Sequence, residues 1–421
     1  MRICVICKFF PPTKGGTETH TYTLVKYLRE KGYQVCVIVQ RPSKKELIAR
    51  GYGVNEIDEM CRDELYLPEI PDVPIYNVCK QGIKGLIEIR RKINEIEKSG
   101  RIDVFDVHHL ILLSSLLFKK SRVVLSIHMY DMLCSKLGFP TKYIPDYFTL
   151  DKRNIGFSLK KCVLKNKCVS LFDYMKWRIV RAYAIRKVDK FIEKHKDRCE
   201  VLMRTGVDPS KVVLIPYWID ADRIRRISFS YRTELRRKHS ISDNEVVIGF
   251  VGRLVPYKNP VLVLEAFKII ANKFPHTKLV FIGDGPLRFE LEKKVELYNL
   301  HNRVIFLGKL AHEDVLKALG MLDIVVHCQW YSNYGWALLE SMAATKAIVV
   351  TNIAEDGNLF KDGYNVLIAE PNPEPVAAKL ALLIKSPEMI KRLGENAFKT
   401  VKELHSLENI SLYEQLFESL V

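Results

Sequence analysis

EVVIGFVGRLVPYKNPVLVLEAFKIIANKF runs from Glu245 to Phe274. Glu245–Val251 is a short run of apolar and β-branched residues, the pattern of a buried strand. Gly252-Arg253-Leu254-Val255-Pro256-Tyr257-Lys258 is loop-like, and Pro260 then opens a helical pattern that reaches Phe274. Strand, loop and helix follow in order, which is half of a parallel βαβ unit. The alternation continues downstream. Lys278–Gly283, Val304–Leu307, Ile324–His327 and Ala347–Thr351 read as strands, separated by helices over Pro286–Leu297, Glu313–Leu319 and Gly335–Ala344. Such a series predicts a doubly wound α/β domain.

The same rhythm occurs earlier in the chain. Arg2–Ile6, Gln34–Val39, Val104–His108, Val123–His128, Lys190–Ile192 and Val212–Ile215 read as strands. A helix is predicted from Thr17 to Lys31, with Leu24, Val25, Tyr27 and Leu28 on its apolar face and Gly32 as its cap. The polar stretch Asp220–Asn244 reads as the linker between the two series, and Pro373–Val421 as two or three helices. The expected domains are 1–219 and 220–405. Open parallel sheets bind ligands beyond the carboxyl ends of their strands, so the loops after the strands are where chemistry is expected.

The length, 421 residues, suits two domains, and 48% hydrophobic content is that of a globular protein. No apolar run approaches the roughly 20 residues that span a bilayer. The first residues, with Lys8 among them and Pro11-Pro12 behind them, read as a buried strand rather than a signal peptide. A cytoplasmic protein is therefore expected. Its ten cysteines then read as reduced packing residues. Cys134, Cys162 and Cys168 lack the close pairs and fourth ligand of structural zinc, so no metal is expected. The formal charge of +17 favours anionic partners. Nucleic acid is not expected among them, because no helix-turn-helix, RNP-type strand or zinc-finger spacing occurs.

Three loops carry candidate chemistry. Gly15 and Gly16 lie between the first strand and first helix, where backbone N–H groups can approach a phosphate. Arg253 and Lys258 share one loop and can clamp a diphosphate, the guanidinium as a fork and the ammonium as a point charge. Tyr331-Ser332-Asn333-Tyr334-Gly335-Trp336 leads into a helix whose Glu340 stands in an apolar stretch. A carboxylate there needs partners, and the vicinal hydroxyls of a ribose would serve. Each loop also has a plainer reading: a simple turn, a solvated basic loop, a solvated helix face.

Together these segments resemble the family-4 retaining glycosyltransferases, which have the GT-B fold of two Rossmann-like, doubly wound domains facing across a cleft. Phe10-Pro11-Pro12 through Gly15-Gly16-x-Glu18 looks like the family's opening motif. Gly252-Arg253…Lys258 is similar to its phosphate loop. Phe281-Ile282-Gly283-Asp284-Gly285-Pro286, Phe306-Leu307-Gly308 and Asp362-Gly363-Tyr364-Asn365 are similar to further segments. Tyr334-Gly335…Leu339-Glu340-Ser341-Met342-Ala343 is similar to the signature helix.

The resemblance implies a role for each position. Gly15, Gly16 and Gly252 would approach the donor, and Arg253 and Lys258 would neutralise the leaving diphosphate in place of a metal. Glu340 would hold the ribose, and Gly283, Leu307 and Gly308 would lie near the base. Ser332, Asn333, Tyr334, Gly335 and Trp336 would line the sugar and phosphate, and His128 would lie near the reacting sugar. A C-terminal helix, 406–421, would pack back on the first domain. The implied reaction is retaining transfer of a sugar from a nucleotide-diphosphate sugar to a saccharide or lipid-linked acceptor, with no cofactor.

The sequence departs from the family at several positions. Ser332 stands where a Glu is usual, Met129 where an Asp is common, Tyr217-Trp218 where Asn-Gly is usual, and Thr345 where Gly is usual. These changes favour an altered sugar preference. They also keep open a nucleotide-sugar-binding protein with weak or lost transfer, or a sugar-nucleotide epimerase of the same fold. The stretch Lys160–Lys190 holds ten Lys or Arg against Asp173 and Asp189, with Phe172, Tyr174 and Trp177 among them. It fits either a helix lying on an acidic membrane, at the inner face of the cell membrane, or an ordinary helix of the first lobe. His108 and His109 are weaker candidates, and His20 reads as a polar residue of the first helix.

Overall fold

A computed structural model describes residues 1–8, 10–11, 16–44, 47, 70–109, 112–113, 116, 120–128, 171–204, 206–329, 334–351 and 359–421, with backbone alone at 171–177. They form two units, Met1–Tyr217 with Glu408–Val421, and Trp218–Leu407. Each is a parallel sheet flanked by helices.

In the first unit the described elements are β1 (Arg2–Cys7), α1 (Gly16–Glu30), β2 (Gln34–Gln40), β3 (Ile75–Val78), α2 (Gly82–Glu97), β4 (Val104–Val107), β5 (Arg122–Ser126), α3 (Leu171–Lys187), β6 (Lys190–Glu193), α4 (Lys196–Arg204) and β7 (Val212–Leu214). The strands order as β3-β2-β1-β4-β5-β6-β7. The chain thus builds outward from β1 in one direction, then returns past it to build in the other. The crevice between β1 and β4 is the switch point, where ligands of such sheets bind. The core strands are apolar because helices cover both faces. Ile3 to Cys7 are all fully buried.

The second unit continues with α5 (Ala221–Ser230), α6 (Arg232–Lys238), β8 (Val246–Val251), α7 (Pro260–Ala271), β9 (Thr277–Ile282), α8 (Arg288–Leu297), β10 (Val304–Gly308), α9 (His312–Leu319), β11 (Ile324–His327), α10 (Trp336–Ala343), β12 (Ala347–Thr351), β13 (Leu367–Ala369), α11 (Pro373–Ile384) and α12 (Pro387–Leu404). The order β10-β9-β8-β11-β12-β13 puts its switch point between β8 and β11. Pro260, Pro373 and Pro387 each occupy the first turn of a helix, where the missing N–H costs nothing.

The stretch read as a linker is two helices. Asp220 caps α5 through the Arg223 amide at 2.9 Å. Arg232 and Arg236 bind opposite oxygens of Asp323, at 2.7 and 2.6 Å, and Arg236 is buried. Charge that looked solvated is paired inside the fold. The strands β3 and β13 and the helix α2 also went unanticipated. The C-terminal helix α13 (Ser411–Glu418) belongs to the first unit, where Glu414 accepts from Tyr27 at 2.8 Å and from Tyr33 at 3.1 Å. Among the described residues no helix is long and apolar enough to cross a membrane.

Candidate functional site

At the second unit's switch point, the loop after β8 meets the end of β11. Gly252 has φ +143°, a conformation open to glycine, and its missing side chain leaves room for Lys258. A Cβ at 252 would stand 3.4 Å from Lys258 Cδ and 3.7 Å from Nζ, so the lysine lies across the glycine. The Arg253 guanidinium donates to the Tyr257 hydroxyl at 2.6 Å. Cys328, just past β11, holds the loop by donating to the carbonyls of Lys258 and Asn259 at 3.5 and 3.1 Å.

Lys258 is the electrostatic focus. Burial lowers its pKa, and the neighbouring Arg253 adds to the effect. Its ammonium has no carboxylate or hydrogen-bond acceptor among the described residues. Two adjacent cations, one of them desolvated, attract an anion. His327 stands behind them, buried, its pKa held at about 3 by burial first and Lys258 second. It is neutral at physiological pH, and its Nε2 has no partner among the described residues.

The neighbouring loops interlock with this one. The Gly252 and Gly283 amides donate to Ile282 and Gly308, and the Leu254 amide to Asp284, each at 2.9 Å. Gly283 has φ +136°, and a Cβ there would lie 2.0 Å from the Gly252 carbonyl oxygen. Gly283 and Gly308 also form an isolated bridge. Leu307 and Gly308 end β10, and Gly308 has φ +68°. Of the glycines singled out in the sequence, Gly283 is the one where two stretches of backbone must pass close, while nothing lies within 4 Å of a Cβ at Gly335.

Helix α10 begins at Trp336, with Gly335 as an N-cap that offers no side-chain hydrogen bond. No acidic residue stands in its first turn, so the helix itself places no carboxylate at the positive end of its dipole. Tyr334 is buried, its ring edge-on to Phe360 and His405 at 5.6 Å each. Glu340 is not on a solvated face. It is buried, and its Oε1 lies 2.5 Å from His312 Nε2. That hydrogen bond is the main cause of a raised His312 pKa. Sequence reading missed His312 because the partner sits on another helix, 28 positions away. Ser332 and Asn333 lie outside the described residues.

The first unit gathers a second cluster, at the carboxyl ends of β4 and β5. His128 follows β5, and its Nε2 lies 2.7 Å from His108 Nδ1. His108 Nε2 lies 2.9 Å from Asp106 Oδ2, and Ser126 donates to Asp106 Oδ1 at 2.7 Å. Tyr413 of α13 reaches Ser126 at 3.2 Å and His20 Nε2 at 3.1 Å, and accepts from Lys194. His20, taken from sequence as a polar helix residue, is fully buried in this network. Burial is the largest cause of low pKa values at His20 and His128, and it brings Lys194 down to about 7. Tyr217 is buried with its ring edge-on to His20 at 6.1 Å. Gly16 is the first residue of α1; Gly15 lies outside the described residues.

His20, His108 and His128 place three ligand nitrogens within 4.8 Å of one another, a grouping able to hold a metal ion. Yet 2.7 Å between His108 and His128 is a hydrogen-bond length. Two nitrogens on one tetrahedral zinc stand about 3.3 Å apart, given Zn–N bonds near 2.0 Å. The geometry is that of a hydrogen-bonded network. Cys134, Cys162 and Cys168, and Lys160–Lys190 up to residue 170, lie outside the described residues.

Comparison with known proteins agrees with this architecture. Residues 14–223 match the family Glycosyltransferase Family 4, and residues 231–400 match Glycosyl transferases group 1. The chain is 23% identical over 412 residues to a phosphatidylinositol N-acetylglucosaminyltransferase subunit of Arabidopsis thaliana, covering 98% of this chain and 80% of that one. It is 22% identical to a glycosyltransferase of Methanocaldococcus jannaschii, over 100% of this chain and 99% of the other. Its fold is that of Anabaena HepE, solved with UDP (TM-score 0.71, 16% identity, 100% of both chains). Sucrose-phosphate synthase of Thermosynechococcus elongatus is similar to the same degree (TM-score 0.73, 16% identity, 100% of both chains). Two doubly wound parallel-sheet domains, both family matches and full-length glycosyltransferase relatives coincide on one conclusion: this chain belongs to the family-4 glycosyltransferases and has their GT-B fold.

Proposed function

We propose that the chain transfers a sugar from a nucleoside-diphosphate sugar to a saccharide or lipid-linked acceptor, with retention at the anomeric carbon and without a metal ion or cofactor. The observation that carries this reading is Lys258: a half-buried ammonium beside Arg253, its pKa lowered by burial, with no anionic partner among the described residues. A diphosphate supplies the missing charge. HepE, of the same fold, was solved with UDP-glucose, which supports a sugar nucleotide as the donor.

Residues 220–405 are assigned to the donor and 1–219 with 406–421 to the acceptor side. Arg253 and Lys258 meet the diphosphate, and the start of α10 (Gly335, Trp336) adds backbone donors. Glu340, steadied by His312, meets the ribose, with Gly252, Gly283, Leu307 and Gly308 shaping the space for nucleotide. Gly15, Gly16, Ser332, Asn333 and Tyr334 border the phosphate and sugar, and His128 faces the reacting carbon. As the glycosidic bond breaks, charge grows on the β-phosphate. Fixed cations that need no reorganisation stabilise that charge. Among the described residues of the two clusters no side chain is assigned as a covalent nucleophile, and front-face displacement is the reading adopted.

Arg253→Ala is expected to lower turnover at least about tenfold, as typical for loss of a charged stabiliser. Near-normal transfer by that variant overturns the assignment. A panel of sugar nucleotides in thermal-shift assays identifies the donor, since a specific ligand raises stability by mass action. Ser332 in place of the usual Glu favours a second reading, binding without transfer. Tight donor binding with no turnover across the panel would establish it.

An acidic membrane is the proposed setting for a lipid-linked acceptor. Ile83 and Ile87 are 70% and 63% exposed on α2, beside Lys80, Lys84 and Arg91. Lys80 and Arg91 pair with Glu88 and Glu95, each at 3.7 Å, so the exposed isoleucines rather than net charge are what suit a bilayer surface. Salt-sensitive co-sedimentation with anionic liposomes, lost in Ile83→Asp/Ile87→Asp, is expected; no binding by the wild type ends the idea.

A further inference from the structure

The first unit's histidine network has a direction, because several of its protons can have only one place to go. Asp106 is fully buried, and its two oxygens face Ser126 and His108. A carboxylate only accepts, so His108 must carry its proton on Nε2. The Ser126 hydroxyl proton is likewise spent on Asp106, so Tyr413 is the donor to Ser126. Tyr413 oxygen then accepts from Lys194 and from His20 Nε2.

We propose that Asp106 and His108 are positioning residues that set the tautomer of His128: His128 donates its Nε2 proton to His108 Nδ1 and keeps Nδ1 as an acceptor. The chain runs from the buried Asp106, through the buried His108, to the partly accessible His128. It rests on the assignment of His128 to the reacting sugar, and it adds what that ring presents: a lone pair for a sugar hydroxyl rather than an N–H. The competing arrangement makes His108 an imidazolium that donates to both Asp106 and His128. Thr21, 3.3 Å from His108 Nδ1, would then accept from it as well, since its own proton goes to Thr17. That arrangement puts a second cation on a carboxylate that already attracts the buried Lys194. Uncompensated buried charge is the costlier choice.

Asp106→Asn tests this sharply. Ser126 still needs an acceptor and takes the amide oxygen, which leaves the amide NH₂ facing His108 Nε2. His108 must then accept there and carry its proton on Nδ1, and His128 must turn into the Nδ1–H form. The wrong tautomer at an isosteric site lowers turnover without removing a contact to substrate. Long-range ¹⁵N–¹H spectra of the intact protein are expected to show His128 as Nε2–H in the wild type and Nδ1–H in Asp106→Asn.

UDP release is measured with whichever of UDP-glucose, UDP-galactose and UDP-N-acetylglucosamine is hydrolysed fastest. Asp106→Asn is expected to lower kcat about tenfold or more, with donor KM within about twofold. The same substitution on a His128→Ala background is expected to cost nothing further. Wild-type spectra with both protons on His108 overturn the proposal, and they need no variant. So does a penalty for Asp106→Asn that persists without His128, or zinc that binds these rings in titration. Full turnover by His128→Ala instead overturns the placement of His128 at the sugar, and leaves the tautomer to the spectra.

Discussion

Gly283→Ala is expected to be among the most damaging single methyl groups that can be added to the second unit. The position has φ +136°, where an L-residue is strained, and the new Cβ would lie 2.0 Å from the Gly252 carbonyl oxygen. An ordinary C···O contact is about 3.3 Å, so one backbone must retreat on the order of 1 Å. Positive φ costs about 1 kcal/mol and forced overpacking about 1–3 kcal/mol more. A loss of about 3 kcal/mol lowers the melting temperature by about 6–12 °C for a unit of this size. Gly363→Ala is the matched control, with φ +73° and nothing within 4 Å of its Cβ. It carries the dihedral cost alone, about 1 kcal/mol, or about 2–4 °C. Because Gly252 carries Arg253 next in sequence, the retreat also moves the cationic loop. Affinity for the sugar nucleotide that the thermal-shift panel selects, measured by calorimetry, is expected to fall about tenfold in Gly283→Ala and to hold in Gly363→Ala, about 1.4 kcal/mol apart. Equal melting temperatures and equal affinity for that sugar nucleotide in the two variants would refute the close approach.

Two further outcomes follow from side chains the structure pairs or strains. The His312 pKa is raised, chiefly by its hydrogen bond to Glu340, so this pair's contribution is complete below about pH 6.5 and lost as pH rises through the folded value. The melting-temperature advantage of wild type over His312→Gln is therefore expected to shrink from pH 5.5 to pH 8.5; an advantage that grows contradicts the pairing. Thr345 follows the cap of α10 with φ +57°, a β-branched residue where a glycine cap is favoured. Thr345→Gly is expected to stabilise by about 1 kcal/mol, read as a melting-temperature rise of about 2–4 °C; a fall would show that the threonine packs usefully.

The architecture was legible because parallel strands covered on both faces are apolar from end to end. Ile324–His327 and Ala347–Thr351 were bounded correctly for that reason. Short edge strands lack the signal: β3 contains Asn77 and β13 has only three residues. The Asp220–Asn244 helices were hidden because charge density imitates a linker, and nothing local announces that Arg232 and Arg236 will meet Asp323. The glycines of the cationic loop and its neighbours could be read only through the family resemblance; at Gly283 the reason is a close backbone approach that admits few other residues. The partners of the candidate carboxylate and of His128 could not. His312 and Glu340 come from different helices, and Asp106, Tyr413 and Lys194 come from β4, α13 and the end of β6. Such pairs exist only after the sheet order is set. Asp106 did leave one clue, a carboxylate inside an apolar strand, and a buried carboxylate always has a partner to be sought.

The two clusters are built on opposite principles. In the first unit each proton shared among Asp106, His108, Ser126 and Tyr413 has an acceptor within the set, so these four are fixed before any substrate arrives. A satisfied buried network is rigid, and rigidity is what holds one imidazole in one tautomer. In the second unit Lys258 is half-buried beside Arg253 without an anion among the described residues, and on the proposed reading that site is complete only when an anion binds. Leaving a cation unpaired costs folding stability, and a ligand that pairs it returns that free energy as affinity. The division matches the chemistry of glycosyl transfer. The nucleotide half must capture and then release a multiply charged diphosphate. On the proposed assignment, the half that meets the reacting sugar must instead hold its groups still while a bond changes hands.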